Sequence, residues 1–277
     1  MGLTALILLV EVAGGWYANS LALLSDAVHV LTDLGSLGLT YGAFVLASRP
    51  ATARKTWGWY RLEVLAALLN GALLVALAAG IFIESFRRLH DPPVVLPGPM
   101  ILAAAVGLAG NIATVAILAG GRRNLNLRAA LLHVVSDTLV SVGVVATAVV
   151  LFATGWKGAD PFMGLAIGLV IVVGAIRLLR EATDVLLEAA PAGIELDRVG
   201  EAISGIPGVL AVHDLHVWSI TSGMTALSGH VVVDDRAAGA DETLNRIKRL
   251  LHDRFAIAHS TLQVESPGYE EFGEIHD

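Results

Sequence analysis

The sequence lacks cysteine and carries little charge. None of its 277 residues is Cys, and only 16% are Asp, Glu, Lys or Arg, against about 25% in an average soluble domain. The absence of thiols excludes disulfides and thiolate metal sites, and it leaves the redox compartment undetermined. A hydrophobic content of 55% also excludes a disordered chain. This composition indicates a membrane protein rather than a water-soluble enzyme.

The few charges are unevenly distributed along the chain. Residues 1–189 carry a formal net charge of +1, whereas residues 190–277 carry −8. Neither part offers the basic patch that a nucleic-acid-binding protein needs. We therefore expect a transmembrane domain over residues 1–185, an acidic domain over residues 190–277, and no nucleic-acid partner.

Six apolar segments are long enough for transmembrane helices, since a bilayer core about 30 Å thick needs roughly 20 residues of helix. The first segment is short and contains Glu11. A signal peptide is the alternative interpretation of that segment, but no basic region precedes it. We predict a bundle of six transmembrane helices at residues 3–18, 20–48, 64–86, 94–121, 129–154 and 161–180.

Loop charges predict the orientation of this bundle. Nine basic residues lie on the side shared with both termini, and three lie on the opposite side. The positive-inside rule therefore predicts cytoplasmic N- and C-termini. The nine are Arg49, Arg54, Lys55, Arg61, Arg122, Arg123, Arg128, Arg177 and Arg180, and the three are Arg87, Arg88 and Lys157.

The acidic part has the pattern of a small α+β domain. A helix is predicted around Leu196–Ser204, because Gly205 and Pro207 follow it. Two β-branched stretches flank a Thr-Ser-Gly turn at 221–223, which is a hairpin signal. A helix at 241–255 and a strand at 260–265 complete the order α-β-β-α-β.

The second and fifth apolar segments contain ionisable residues at helical spacing. Asp26, His29 and Asp33 share one face of the second helix, and His133 and Asp137 are four residues apart in the fifth. An ionised group at the bilayer centre costs about 2.5–3.5 kcal/mol even on the lenient insertion scale. We therefore expect these side chains to face one another inside the bundle rather than lipid.

Two His-x-x-x-Asp pairs supply two imidazoles and two carboxylates, a ligand set that suits tetrahedral Zn²⁺. Two imidazoles disfavour Mg²⁺ and Ca²⁺, while Cd²⁺, Co²⁺, Ni²⁺, Fe²⁺ and Mn²⁺ remain open. The alternative is a hydrogen bond within each helix, but two identical pairs favour a shared metal site. Asp26 is a candidate for orienting a ligand, and Glu11 is expected to serve packing or a helix–helix hydrogen bond.

Four stretches of the sequence resemble the cation diffusion facilitator family, and its zinc-transporting branch most of all. They are "SLALLSDAVHVLTD", "WGWYRLEVLAALLNG", "LLHVVSDTLVSVGV" and "GVLAVHDLHVWSIT". The resemblance runs from about residue 7 to residue 266. It implies a homodimeric six-helix transporter with a ferredoxin-like, metallochaperone-like cytoplasmic domain, which exports a divalent metal in exchange for protons. We accordingly expect an integral protein of the bacterial inner membrane and not an enzyme.

The resemblance also implies particular site residues, with Zn²⁺ as the transported and regulatory ion and no other cofactor. The transport ligands it implies are His29, Asp33, His133 and Asp137. The ligands it implies for a cytoplasmic-domain site are His213, His230 and Glu265, with His259 beside them. His216 and Trp218 are expected to pack on the other strand face, and His252 and His276 to be solvated. The family's further site between the second and third helices is expected to be absent, because "ATARKTWGWYR" has no Asp or His.

Other functional classes fit less well. An intramembrane zinc hydrolase would need a His-Glu-x-x-His helix, which the sequence lacks. An exporter of organic cations would need an aromatic-lined pocket, and only 6% of the residues are aromatic. A membrane-anchored metal sensor is the remaining alternative, but an anchor has no need for His and Asp in two of its spans.

Overall fold

The structure is a computed structural model that describes residues 2–119, 125–234 and 239–269. Six apolar helices come first along the chain. They are α1 (Gly2–Ala18), α2 (Leu21–Ala47), α3 (Leu62–His90), α4 (Pro97–Ala119), α5 (Leu125–Thr154) and α6 (Ala159–Leu186). The elements that follow are α7 (Leu196–Ser204), β1 (Val209–Thr221), β2 (Met224–Val233), α8 (Ala240–Phe255) and β3 (His259–Glu265).

This order confirms the predicted fold class of a helical membrane domain followed by a small αββαβ domain. Among the described helices, α2 to α6 are each long and apolar enough to cross a membrane, whereas α1 has 17 residues. Helices α3 and α6 extend several residues beyond their apolar segments. Their added turns are polar, ending at His90 in α3 and at Leu186 in α6.

The chain divides by its internal contacts into two compact units. Unit one comprises Met1–Gly42 and Ala66–Leu179, and unit two comprises Ala43–Leu65 and Arg180–Asp277. Small residues allow the helices of unit one to approach closely. Its buried core includes Ala22, Leu23, Ala78, Met100, Ala103, Ala104, Val144, Ala148 and Ile167.

Large apolar side chains also cover the outside of the helices in unit one. They include Leu9, Ile83, Ile117 and Phe152, each mostly exposed. Monomeric soluble proteins rarely expose apolar patches on this scale. The surface therefore suits contact with lipid, as the low charge content predicts.

The side chain of Asp160, at the start of α6, caps the N-terminus of α2. Its Oδ1 accepts hydrogen bonds from Ser20 Oγ at 2.6 Å and from the backbone N–H of Ala22 at 3.1 Å, and its Oδ2 accepts one from the N–H of Leu21 at 2.8 Å. Arg88 Nη1 lies 3.7 Å from Oδ2. The first N–H groups of a helix have no partner within the helix, so a carboxylate from α6 caps α2.

We expect Asp160→Ala to lower the free energy of unfolding by roughly 3 kcal/mol, because hydrogen bonds to a charged group stabilise by about 1.5–3 kcal/mol each and are only partly independent. The measurement is the thermal midpoint of the detergent-solubilised protein. Asp91→Ala, at an exposed position after α3, is the matched control. Equal midpoints for the two variants would show that the cap contributes nothing.

Unit two contains a three-stranded sheet with the strand order β1-β2-β3. Strands β1 and β2 are antiparallel, and β2 and β3 are parallel. The hairpin turns after Thr221, where Gly223 has a φ of +73° that favours glycine. One face of α8 buries Thr243, Ile247 and Leu251, which are spaced one turn apart. Their core partners are Val199, Ile203, Val217, Leu227 and Val231.

The segment between α2 and α3 also belongs to unit two. Glu63, in the first turn of α3, accepts hydrogen bonds from the hydroxyls of Thr221 and Ser222 in the hairpin turn. Arg61 Nη2 lies 2.7 Å from Glu188 Oε1. The start of α3 and the residue before it are therefore held by polar contacts within this unit.

Candidate functional site

Helices α2 and α5 bring together the two predicted His–Asp pairs. His29 Nε2 lies 3.2 Å from Asp137 Oδ1. His133 Nε2 lies 3.5 Å from Asp33 Oδ2 and 3.8 Å from Asp137 Oδ2. Each histidine thus makes its closest described contact with the aspartate of the other helix. Because the pairing crosses between helices, the pairs are not independent hydrogen bonds within single helices.

The donor atoms of three of these residues are spaced for one small cation, and His133 lies outside that group of three. Ligand atoms of His29, Asp33 and Asp137 all lie within 4.8 Å of one another. Zinc bonds of about 2.0–2.1 Å place the ligand atoms of a tetrahedron roughly 3.3 Å apart. The His and Asp atoms that face each other across α2 and α5 are separated by similar distances, 3.2 Å and 3.5 Å. The His133 side chain is 54% exposed and that of Asp137 only 15%. The group is therefore buried on one side and open on the other.

A second polar group lies one helical turn away from these residues. Asp26 is 3% exposed, and its Oδ2 accepts a hydrogen bond from Ser141 Oγ at 3.3 Å. Ser141 in turn accepts one from Asn111 Nδ2 at 3.0 Å. Ser141 follows Asp137 by four residues. Asp26 is thus joined to α5 through Ser141, and the described contacts give it no hydrogen bond to either His–Asp pair.

Glu11 does not make the hydrogen bond that the sequence allowed for. It is fully buried, and neither carboxylate oxygen has a hydrogen-bond partner among the described residues. Its carboxylate packs against α4 at Gly107. Glu11 was expected to serve either packing or a helix–helix hydrogen bond, and the described contacts show packing.

Three predicted ligands of the second domain meet on the sheet. His213 and His230 are cross-strand partners in β1 and β2, and their rings lie 5.2 Å apart. Glu265 Oε2 lies 3.0 Å from His213 Nε2, and Glu265 Oε1 lies 3.2 Å from His230 Nδ1. The Glu265 carboxylate is almost completely buried. A buried carboxylate between two imidazoles fits a cation such as Zn²⁺.

His259 is not brought into this group. Its ring lies edge-on to Trp57, with the centroids 4.8 Å apart, in unit two. His252 is exposed and lies 2.8 Å from Asp253, as expected of a solvated residue. His276, together with Arg122 and Arg123, lies outside the described residues.

Sequence reasoning missed Asp214, which lies between two strand histidines. The strand register shifts between His213 and His216, and Asp214 has a φ of +47°. This bulge breaks the alternation on which the assignment of His216 to the other face was based. Asp214 Oδ1 lies 2.8 Å from His216 Nε2, and this contact holds the pKa of the Asp214 carboxyl below its ordinary value. An acidic residue between two histidines of a predicted strand was the available signal.

Two protein-family models match the chain and together cover most of it. Residues 1–187 match the model described as the cation efflux transmembrane domain, and residues 191–267 match the cation efflux protein cytoplasmic domain. The chain belongs to the cation diffusion facilitator family. Its members are transporters, so the protein is an integral membrane transporter and not an enzyme. The resemblance found in the sequence is thereby confirmed.

Curated relatives match over nearly the whole chain. The metal cation efflux system protein CzcD of Cupriavidus metallidurans is 40% identical over 96% of this chain and 84% of its own length. The zinc transporter ZitB of Escherichia coli is 39% identical over 95% and 85%. The cadmium, cobalt and zinc/H(+)-K(+) antiporter of Bacillus subtilis is 37% identical over 95% and 86%. These names place the chain in the zinc-related branch of the family.

Proposed function

We propose that the protein exports Zn²⁺ from the cytoplasm in exchange for protons, through His29, Asp33, His133 and Asp137. The observation that carries this proposal is the cross-helix contact of both histidines with the aspartates of the facing helix. Two imidazoles and two carboxylates offer the nitrogen and oxygen donors that zinc prefers. The two negative charges would also neutralise the ion, which makes its passage through an apolar bundle less costly.

The same donors explain the exchange with protons. A metal binds imidazole only in its deprotonated form, so zinc and protons compete for these side chains. Histidine's ordinary pKa of about 6.5 allows this competition near neutral pH. The half-exposed His133 offers a way in and out, which a closed structural zinc site would lack.

The arrangement around the transport site follows from the same proposal. Loop charges favour cytoplasmic termini, and the relatives suggest a bacterial inner membrane. The second family model is named for its dimers, and we propose a homodimer. His213, His230 and Glu265 would hold a regulatory zinc ion in the cytoplasmic domain, because only their donor atoms converge among the described residues of that domain.

The deciding experiment is metal-dependent proton flux out of proteoliposomes. We expect Zn²⁺ added outside to make the lumen more alkaline, with Mg²⁺ and Ca²⁺ giving no response because two imidazole ligands disfavour them. A variant with alanine at all four transport positions is the control. A parent protein that gives no flux with any divalent ion would contradict the proposal.

A different divalent cargo is the second candidate, because relatives are named for cadmium and cobalt as well as zinc. A panel of Zn²⁺, Cd²⁺, Co²⁺, Ni²⁺, Fe²⁺ and Mn²⁺ in the same assay ranks them, and internal K⁺ tests the counter-ion that one relative's name includes. A membrane-anchored metal sensor would bind zinc without carrying it. Zinc binding with no flux of zinc or protons would therefore favour the sensor.

A further inference from the structure

Glu11 is a buried acid that the proposed transport chemistry does not use. It is the one acidic residue of α1. Its side chain is fully buried, and neither carboxylate oxygen accepts a hydrogen bond from any described residue. An ionised carboxylate in this condition has lost its hydration without gaining a hydrogen-bond donor in return. The surroundings therefore accept Glu11 as a neutral acid far more readily than as an anion.

Helix α4 has a recess for this carboxyl group at Gly107. A Cβ atom at position 107 would overlap Glu11 Oε1, so the absence of a side chain at Gly107 leaves the space that the carboxyl fills. The buried stripe of α4 consists of Met100, Ala103, Ala104, Gly107 and Asn111, and α4 contains no ionisable residue. The helix packed against Glu11 thus supplies room for its carboxyl and no counter-charge.

Asp26 is the acidic residue whose charge acts on Glu11. Asp26 of α2 is close enough to repel a negative charge on Glu11. Asp26 accepts a hydrogen bond from Ser141, which accepts one from Asn111, one turn beyond Gly107 on α4. Asp26 precedes the ligand His29 by three residues. Asp26 therefore lies within electrostatic reach of Glu11 and one turn before His29, although it makes no described hydrogen bond to either residue.

We propose that Glu11 is a proton-binding site of the exchange, separate from the metal ligands. This inference rests on the proposed zinc–proton exchange. With no metal bound, Glu11 holds a proton as a carboxylic acid. The charge of an arriving Zn²⁺ lowers the electrostatic cost of ionising Glu11, so the O–H bond breaks, the proton leaves to water and a carboxylate remains. By linkage, protonation of Glu11 must weaken zinc binding by the same factor.

The test counts protons released when zinc binds. The full-length protein in detergent receives zinc in a weakly buffered solution containing a pH dye, and calorimetry measures the zinc affinity in parallel. We expect Glu11→Gln to bind zinc, because the four transport ligands remain, but to release about one proton fewer per zinc. Glu11→Asp should restore part of the release, and Glu181→Gln, at an exposed position of α6, should behave as the parent.

Two outcomes would overturn the inference. One is a Glu11→Gln variant that releases as many protons per zinc as the parent. The other applies if that variant does not fold, and it uses the infrared difference spectrum that zinc induces in the parent. We expect this spectrum to show the loss of a protonated carboxyl C=O band, and the same loss in Asp26→Asn. If the band is not lost, the proposal is contradicted. Both readouts use binding alone, so a parent that releases protons but carries no zinc would contradict the proposed function and not this inference.

Discussion

Asp137→Ala should abolish zinc transport into inside-out vesicles. Asp137 contacts both histidines of the proposed site, at 3.2 Å from His29 and 3.8 Å from His133. Its removal deletes a ligand and leaves the bound ion short of one negative charge. Loss of even an outer hydrogen-bond partner lowers metal affinity about 10–100-fold, so loss of a ligand should lower it further. The measurement is uptake of labelled zinc under a proton gradient.

Asp184→Ala is the matched control for this experiment, because Asp184 is an exposed aspartate in the last turns of α6. It should transport zinc as the parent does. Asp137→Asn separates charge from shape, since the amide keeps the volume and one oxygen donor but not the charge. Transport by Asp137→Ala at the parent rate would show that the four residues are not the transport site.

Glu265→Gln should remove high-affinity zinc binding from the cytoplasmic domain while leaving the transport site intact. The buried Glu265 carboxylate contacts both His213 and His230. The amide preserves the volume but leaves two neutral imidazoles and no charge opposite the ion. We expect the affinity to fall by at least about 100-fold, since a direct ligand contributes more than the outer partners whose loss costs 10–100-fold.

Calorimetry on the full-length protein checks this by stoichiometry. The parent should bind two zinc ions per chain, Glu265→Gln and Asp137→Ala one each, and the double variant none. Glu201→Gln, at an exposed position of α7, should bind as the parent does. A Glu265→Gln protein that still binds two ions tightly would place the second site elsewhere.

Much of the fold was predictable because its local signals agree with one another. Gly205 and Pro207 end α7 where they were expected to, and the Thr-Ser-Gly turn lies between β1 and β2. Apolar runs located the membrane helices because lipid requires long uninterrupted helices. The ends of α3 and α6 were missed, since their last turns are polar and follow no hydropathy signal.

The sequence could predict which residues form the candidate site but not how they pair, and the role of these residues as metal ligands stays a prediction. Spacing indicated which face of α2 carries His29 and Asp33, but it could not indicate that His29 pairs with Asp137 of α5. Contacts between elements far apart in sequence, such as Asp160 with the start of α2, leave no local pattern. The displacement of Asp214 arises from a β-bulge, which strand alternation does not reveal.

Because Asp160 holds the start of α2 by three hydrogen bonds, any tilt of this helix would be centred on that end. At a rise of 1.5 Å per residue, His29 and Asp33 lie about 13 Å and about 20 Å from Ser20 along the axis of α2. A tilt of about 10° would then move them by about 2 Å and about 3.5 Å. The distance between a metal ion and its ligand atom departs from its usual value by no more than about 0.2 Å. A small tilt of the intact helix would therefore displace His29 and Asp33 by different distances, which is enough to break the zinc coordination proposed for them without unwinding α2.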